Sequence, residues 1–154
     1  MMAIRNSLCR LILVPAFAAI AFGCSYQTHI LLINVHNSPR TVYIRFSRPD
    51  EGTPLFVPGR FVLHPLEAGD TVDFSHPHPL PSNQANTVTI ELPARSALSL
   101  AVLRNETYRT ATQEFINQRR FNIEEIAVGN ERVNRGNFDA QFRRTPDGIA
   151  WSIP

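Results

Sequence analysis

His76 and His78 sit two apart on the run His76-Pro77-His78-Pro79-Leu80-Pro81, with Asp73 just before them and His64 on a preceding segment. Imidazole nitrogens and carboxylates are ligands that zinc and copper accept. Three prolines in five residues exclude a helix and favour an extended loop. In an extended chain residues i and i+2 point the same way, so two imidazoles can reach one ion, with His64 or Asp73 as a third ligand. Metal sites generally use three or four protein ligands, however, and a histidine pair on an exposed loop also serves as plain polar surface. The spacing therefore marks His64, His76, His78 and Asp73 as candidates for a metal or small-ligand module and defines no firm metal site. His29 and His36 flank the first apolar strand and read as surface or strand-end residues.

Catalytic patterns are missing from the chain. It contains no G-x-S-x-G nucleophile elbow, no G-x-G-x-x-G, no phosphate-binding P-loop and no H-E-x-x-H. Glu124-Glu125 offers two carboxylates, but neighbours on a strand point to opposite faces. The arginine pairs Arg119-Arg120 and Arg143-Arg144 suit cross-strand links to Glu124, Glu131 or Asp139, or contact with anionic lipid. No enzyme is expected from this set.

The N-terminus carries the most specific pattern. Arg5 and Arg10 make the first ten residues positive, and Leu11 to Phe22 is apolar apart from Pro15. That is the form of an export signal, and it is shorter than the roughly 20 apolar residues that a membrane span needs. Ala21-Phe22-Gly23-Cys24 closes the run. Gly23 followed by Cys24 resembles the lipobox of bacterial lipoproteins, with Ala21 three places before the cysteine. The resemblance covers residues 1–24 and implies that residues 1–23 are removed, that lipid is attached to the Cys24 thiol, and that the new amine is acylated. Ser25 follows the cysteine where an aspartate could stand. By resemblance to the sorting rule of enteric bacteria, this implies the outer membrane.

An alternative is an ordinary secretory signal, because Ala19-Ile20-Ala21 fits the A-x-A pattern and would release a soluble chain from Phe22. Cysteine counting favours the lipoprotein. Of the two cysteines, Cys9 lies in the removed segment either way. Cys24 is then alone in an exported domain with no disulfide partner, and acylation accounts for it.

Removing Arg5 and Arg10 from the fifteen basic residues leaves thirteen, all arginine, against thirteen acids. A nucleic-acid binder shows a basic excess, so that class is set aside.

Residues 24–154 suffice for one domain with its own core. Ile30-Leu31-Leu32-Ile33-Asn34-Val35 reads as a buried strand, and Thr41 to Phe46 alternates apolar and polar residues. With Asn37-Ser38-Pro39-Arg40 between them, the two predict a first β-hairpin. Further strands are expected around Leu55–Val57, Arg60–Leu63 and Thr71–Phe74, the last with Val72 and Phe74 inward. Thr87–Leu92, Leu98–Leu103 and Phe121–Val128 follow, with a Gly129-Asn130 turn into Val133. A last hairpin is expected between Phe138–Phe142 and Ile149–Ile153 across Pro146-Asp147-Gly148. One short helix is possible near 111–120, capped by Thr110 with Gln113 three residues on. Eight or nine short strands predict an all-β fold, a single antiparallel β-sandwich or small barrel.

The expected function is that of a non-enzymatic envelope lipoprotein. A periplasm-facing β-sandwich, held by lipid on Cys24, would bind a protein partner or support an assembly. The alternatives are a metal or small-ligand module at His64, His76 and His78, and a secreted soluble domain cleaved after Ala21. No cofactor beyond the covalent lipid is expected.

Overall fold

The computed structural model describes residues 26–48, 52–81, 86–106, 108–113, 116 and 118–154. The proposed signal segment, Gly23 and Cys24 lie outside them. The described chain is mostly β. It has twelve strands, three of them only two residues long, and one short helix.

β1 (Gln27–Asn34) is buried on both faces from Ile30 to Asn34. A strand that is apolar on both sides must be central, with strands on both edges and cover above and below. β1 accordingly runs in the middle of a six-stranded sheet. One neighbour is β7 (Ser96–Arg104), antiparallel, and the other is β12 (Gly148–Ser152), parallel. β4 (Val62–Pro65) and β5 (His78–Pro79) extend the sheet beyond β7, and β11 (Arg143–Thr145) extends it beyond β12. β2 (Arg40–Phe46) alternates buried and exposed residues and belongs to a second, four-stranded sheet. It lies there between β6 (Thr87–Leu92) and β9 (Ile123–Val128), and β10 (Glu131–Val133) forms the far edge beside β9. β3 (Thr53–Pro54) and β8 (Arg119–Arg120) make a small parallel pair.

The expected first hairpin therefore does not form: β1 and β2 are in different sheets. Asn34 explains how the chain crosses between them. Its buried side-chain amide lies within hydrogen-bond reach of the carbonyls of Ser38, Leu92 and Pro93, at 2.9, 3.2 and 2.8 Å. Its oxygen accepts the His36 N–H at 3.1 Å. One side chain thus ties together the β1–β2 and β6–β7 crossovers. The antiparallel expectation also fails at β1–β12 and at β3–β8, both of which are parallel.

The main core takes Ile30, Leu32 and Trp151 from the larger sheet and Ile44, Ile90 and Ile126 from the smaller one. A second cluster on the other face of β1 joins Leu31, Ile33, Ala97 and Ala150 to Val72. A bulge lets β7 serve the main core along its length. Ile30 pairs with Ala101 and Leu31 with Ser99, leaving Leu100 as the extra residue. The phase shift keeps Leu98, Ala101 and Leu103 all on the core side.

Phe138 to Phe142 is not a strand. Residues Phe138–Gln141 form the helix α1, and Phe138 stacks on Phe142 at 3.9 Å, one helical turn on. A last hairpin does close on Pro146-Asp147 with Thr145 opposite Gly148, but its first arm is β11 (Arg143–Thr145) in place of the expected Phe138–Phe142. Gly148 has a φ of +143°, and a Cβ there would lie 2.4 Å from the His29 carbonyl oxygen, so only glycine fits.

No helix occurs among the described residues of 108–120. Thr110 spends its hydroxyl on Asp139 at 2.5 Å and accepts the Thr112 N–H at 3.3 Å, a local alternative to a helix cap. Leu55 and Phe56 are buried outside any strand, and Pro58–Arg60 forms a 3₁₀ turn. Of the expected strand at Thr71–Phe74, only the Val72 bridge to Leu66 remains; Val72 is buried and Phe74 is exposed.

Candidate functional site

Asp73 leads into a turn at Phe74-Ser75, and the chain reaches strand β5 only at His78. The Asp73 carboxylate accepts the Ser75 N–H at 2.8 Å and the Ser75 hydroxyl at 2.5 Å, and pairs with His76 Nδ1 at 2.6 Å. The Ser75 hydroxyl, the His76 ring and the Ser75 N–H hold the Asp73 carboxyl down at about 2. Ser75, His76 and Asp73 are the residue types of a hydrolytic triad, but the wiring is wrong. Ser75 Oγ lies 2.9 Å from His76 Nδ1, the same ring nitrogen that meets Asp73. A triad needs the serine on one ring nitrogen and the carboxylate on the other. This cluster closes a turn and has no means of activating its hydroxyl.

His78 stands in β5 opposite Leu63 and is exposed. His64 is buried on β4 and faces other rings: Phe74 at 5.0 Å and His29 at 6.1 Å between centroids. Phe74 also lies 4.2 Å from His29, whose Nδ1 is 3.2 Å from the Ser99 hydroxyl. The four candidate ligands are therefore spread over three places: His64 in this packed patch, Asp73 and His76 in the turn beside it, and His78 on β5. Among the described residues, no three His, Cys, Asp or Glu side chains are placed to hold a metal ion.

The patch contains a residue that the sequence reading put at the surface. His29 is half-buried, and burial followed by the nearby His64 ring lowers its pKa. Burial lowers that of His64 as well, opposed by the Asp73 backbone and carboxylate and reinforced by His78. Both rings are thus biased toward the neutral form. The signal in the sequence was the alternation of β1, which puts His29 on the same face as Leu31 and Ile33.

The second feature is the edge of the smaller sheet. Phe46 N–H donates to the Asn86 carbonyl at 2.7 Å, in register with the β2–β6 ladder. Antiparallel pairs alternate between bonded and non-bonded, so the bonded pairs are Ile44–Val88, Val42–Ile90 and Arg40–Leu92. The backbone groups of Thr87, Thr89 and Glu91 therefore point away from β2. Among the described residues no strand lies beyond β6 to take them. The side chains of these three residues are exposed, while Val88, Ile90 and Leu92 are buried beneath them.

The charge links differ from those expected: Arg119 pairs with Glu106 at 2.9 Å, and Glu124 pairs with Arg45 at 2.8 Å. The chain matches no protein-family model, no curated protein and no solved structure.

Proposed function

We propose that this chain is a lipid-anchored protein of a bacterial envelope, a β-sandwich tethered through Cys24 at the periplasmic face of the outer membrane. It acts by binding a protein partner, without catalysis. The partner contributes an extended segment that adds as a further strand beside β6. The observation that carries this reading is the open row of backbone groups at Thr87, Thr89 and Glu91 on a six-residue strand. The other outer strands, β5, β10 and β11, are only two or three residues long. Glu91 at the end of the row favours a basic residue on the incoming strand.

The anchor rests on the lipobox together with the short reach from it to the fold. Tyr26 C=O accepts the Asn105 N–H and Tyr26 N–H donates to Asn105 Oδ1, both at 3.0 Å. The domain therefore begins two residues after Cys24.

Two measurements test the reading. Intact mass of the protein made in a bacterium should show acylation that is lost in Cys24→Ala; a soluble chain starting at Phe22 overturns the anchor. A photo-crosslinking amino acid at Thr87 should give a discrete adduct in cells, and that adduct should vanish in Thr89→Pro. The proline removes an outward N–H and leaves the bonds to β2 intact. An adduct unaffected by the proline overturns the edge as the docking site.

A further inference from the structure

β7 is nine residues long, and its two edges are covered unequally. β1 covers one edge from Ser96 to Arg104, whereas β4 covers the other only from Ser96 to Ser99. Beyond Ser99 the uncovered stretch forms one wall of a cleft of about 380 Å³, a volume within the usual range for ligand sites. The segment leading from β3 into the 3₁₀ turn forms the other wall, with Pro54, Leu55 and Val57. Leu100, Ala101 and Val102 add further apolar lining.

The charges in the cleft are one-sided: Arg60, Arg104 and Arg119 against Glu106. Glu106 is already taken, because Arg119 Nη2 reaches both of its carboxylate oxygens, at 3.0 and 2.9 Å. Arg60 and Arg104 are exposed, and their guanidinium groups have no hydrogen-bond or ion-pair partner among the described residues. Two unpaired guanidiniums beside an apolar wall suit an amphiphile whose head is a phosphate, since arginine binds phosphate in a fork geometry that a point charge lacks.

The position of the cleft narrows the choice of amphiphile. Arg104 stands opposite Gln27, and the next residue, Asn105, holds Tyr26. Two extended residues span at most about 7 Å, so a lipid on Cys24 would bring this end of the sheet against the membrane surface.

We propose that the Arg60–Arg104–Arg119 cleft binds the phosphate headgroup of an anionic phospholipid, with the apolar lining receiving the adjoining glycerol and acyl carbons. The choice of lipid over a free phosphate compound rests on the Cys24 anchor. The cleft itself does not.

Native mass spectrometry of the protein in a non-ionic detergent reads both questions separately, because the mass of the apoprotein shows whether Cys24 is acylated. The probes are dilauroyl phosphatidylglycerol, dilauroyl phosphatidylcholine and inorganic phosphate. One phosphatidylglycerol should bind, with phosphatidylcholine at least about tenfold weaker. Arg60→Gln and Arg104→Gln should each weaken phosphatidylglycerol by about tenfold or more, the loss of one charge-assisted contact. Arg132→Gln, away from the cleft, should leave binding unchanged. Equal binding of the two lipids, or binding indifferent to both cleft variants, overturns the site. Inorganic phosphate displacing phosphatidylglycerol at equal concentration overturns the lipid assignment in favour of a free phosphate compound.

Discussion

The side-chain amide of Asn122 pairs with the backbone of Phe56 at both ends. Phe56 N–H donates to Asn122 Oδ1 at 2.9 Å, and Asn122 Nδ2 donates to the Phe56 carbonyl at 3.0 Å. This is a strand-like bond pair made by a side chain, and it lets Phe56 enter the core outside any strand. Asn122 is 3% exposed, so water cannot replace it. Asn122→Ala leaves a buried donor and a buried acceptor unmatched and should cost about 2–4 kcal/mol in urea unfolding. Asn122→Asp should be worse at neutral pH, where a carboxylate would face the Phe56 carbonyl.

Gly148 is held against His29 as closely as the parallel register allows. Gly148→Ala forces its Cβ into the His29 carbonyl and a φ that L residues avoid. The expected loss is roughly 2–5 kcal/mol, overpacking and backbone strain combined. A denaturation midpoint that moves by less than a tenth of that amount would show that β1 and β12 part at low cost.

Stability should fall as the solution becomes acidic, because His29 and His64 have folded-state pKa values below the ordinary 6.5. The unfolded chain then takes up protons that the native chain refuses, so the two rings favour folding above about pH 6.5 and oppose it progressively below. The groups facing them are Asp73, His78 and the neutral Ser99 and Phe74. Asp73 acts in the same direction but in a lower window. Its contribution persists down to its unfolded value near 3.8 and is lost toward 2. Urea titrations between pH 7.5 and 5 should show the decline, and His64→Phe should flatten it. An unchanged slope in that variant would assign the decline to other groups.

Asp139 on α1 gathers the Tyr108 and Thr110 hydroxyls, each at 2.5 Å, and the Ala111 N–H. Burial followed by the Asp139 carboxylate raises the Tyr108 pKa far above the ordinary tyrosine value. For Asp139 itself, burial pushes upward, but the three donors outweigh it and the net shift is downward. In a spectroscopic alkaline titration Tyr108 should stay protonated until the chain unfolds. Asp139→Ala should lower the Tyr108 pKa by removing the carboxylate's share of the shift, with burial still holding it above the ordinary value, and should free the 108–112 segment, read as faster amide exchange there. Normal Tyr108 behaviour in the parent chain would count against the buried pair.

What the sequence made legible is local. β2 and β6 alternate without interruption and form as expected, and the Pro146-Asp147-Gly148 turn closes its hairpin. The all-apolar run of β1 identified a buried strand, but no residue in it specifies neighbours that lie some 70 and 120 positions away. A plausible turn at Asn37–Arg40 therefore suggested a hairpin in place of the crossover that Asn34 secures. Phe138 and Phe142 were compatible with both periods, alternating in a strand or one turn apart in a helix, and packing decided for the helix. The pairing of His76 with Asp73 follows from Asp73-x-Ser75, which is itself a turn signal. The cleft draws on residues 53–60, 100–106 and 119, three segments that no spacing rule connects.

Among the described residues β1 is the first strand in chain order, and β12, one of its two partners, is the last. Until the ribosome has delivered Gly148–Ser152, a central strand that is buried on both faces from Ile30 to Asn34 has one edge bare. Non-local pairing of this kind slows folding and lengthens the exposure of sticky surface. The same pairing should make the loss of Gly148–Ser152 far more damaging than its five residues suggest, because it bares one edge of β1.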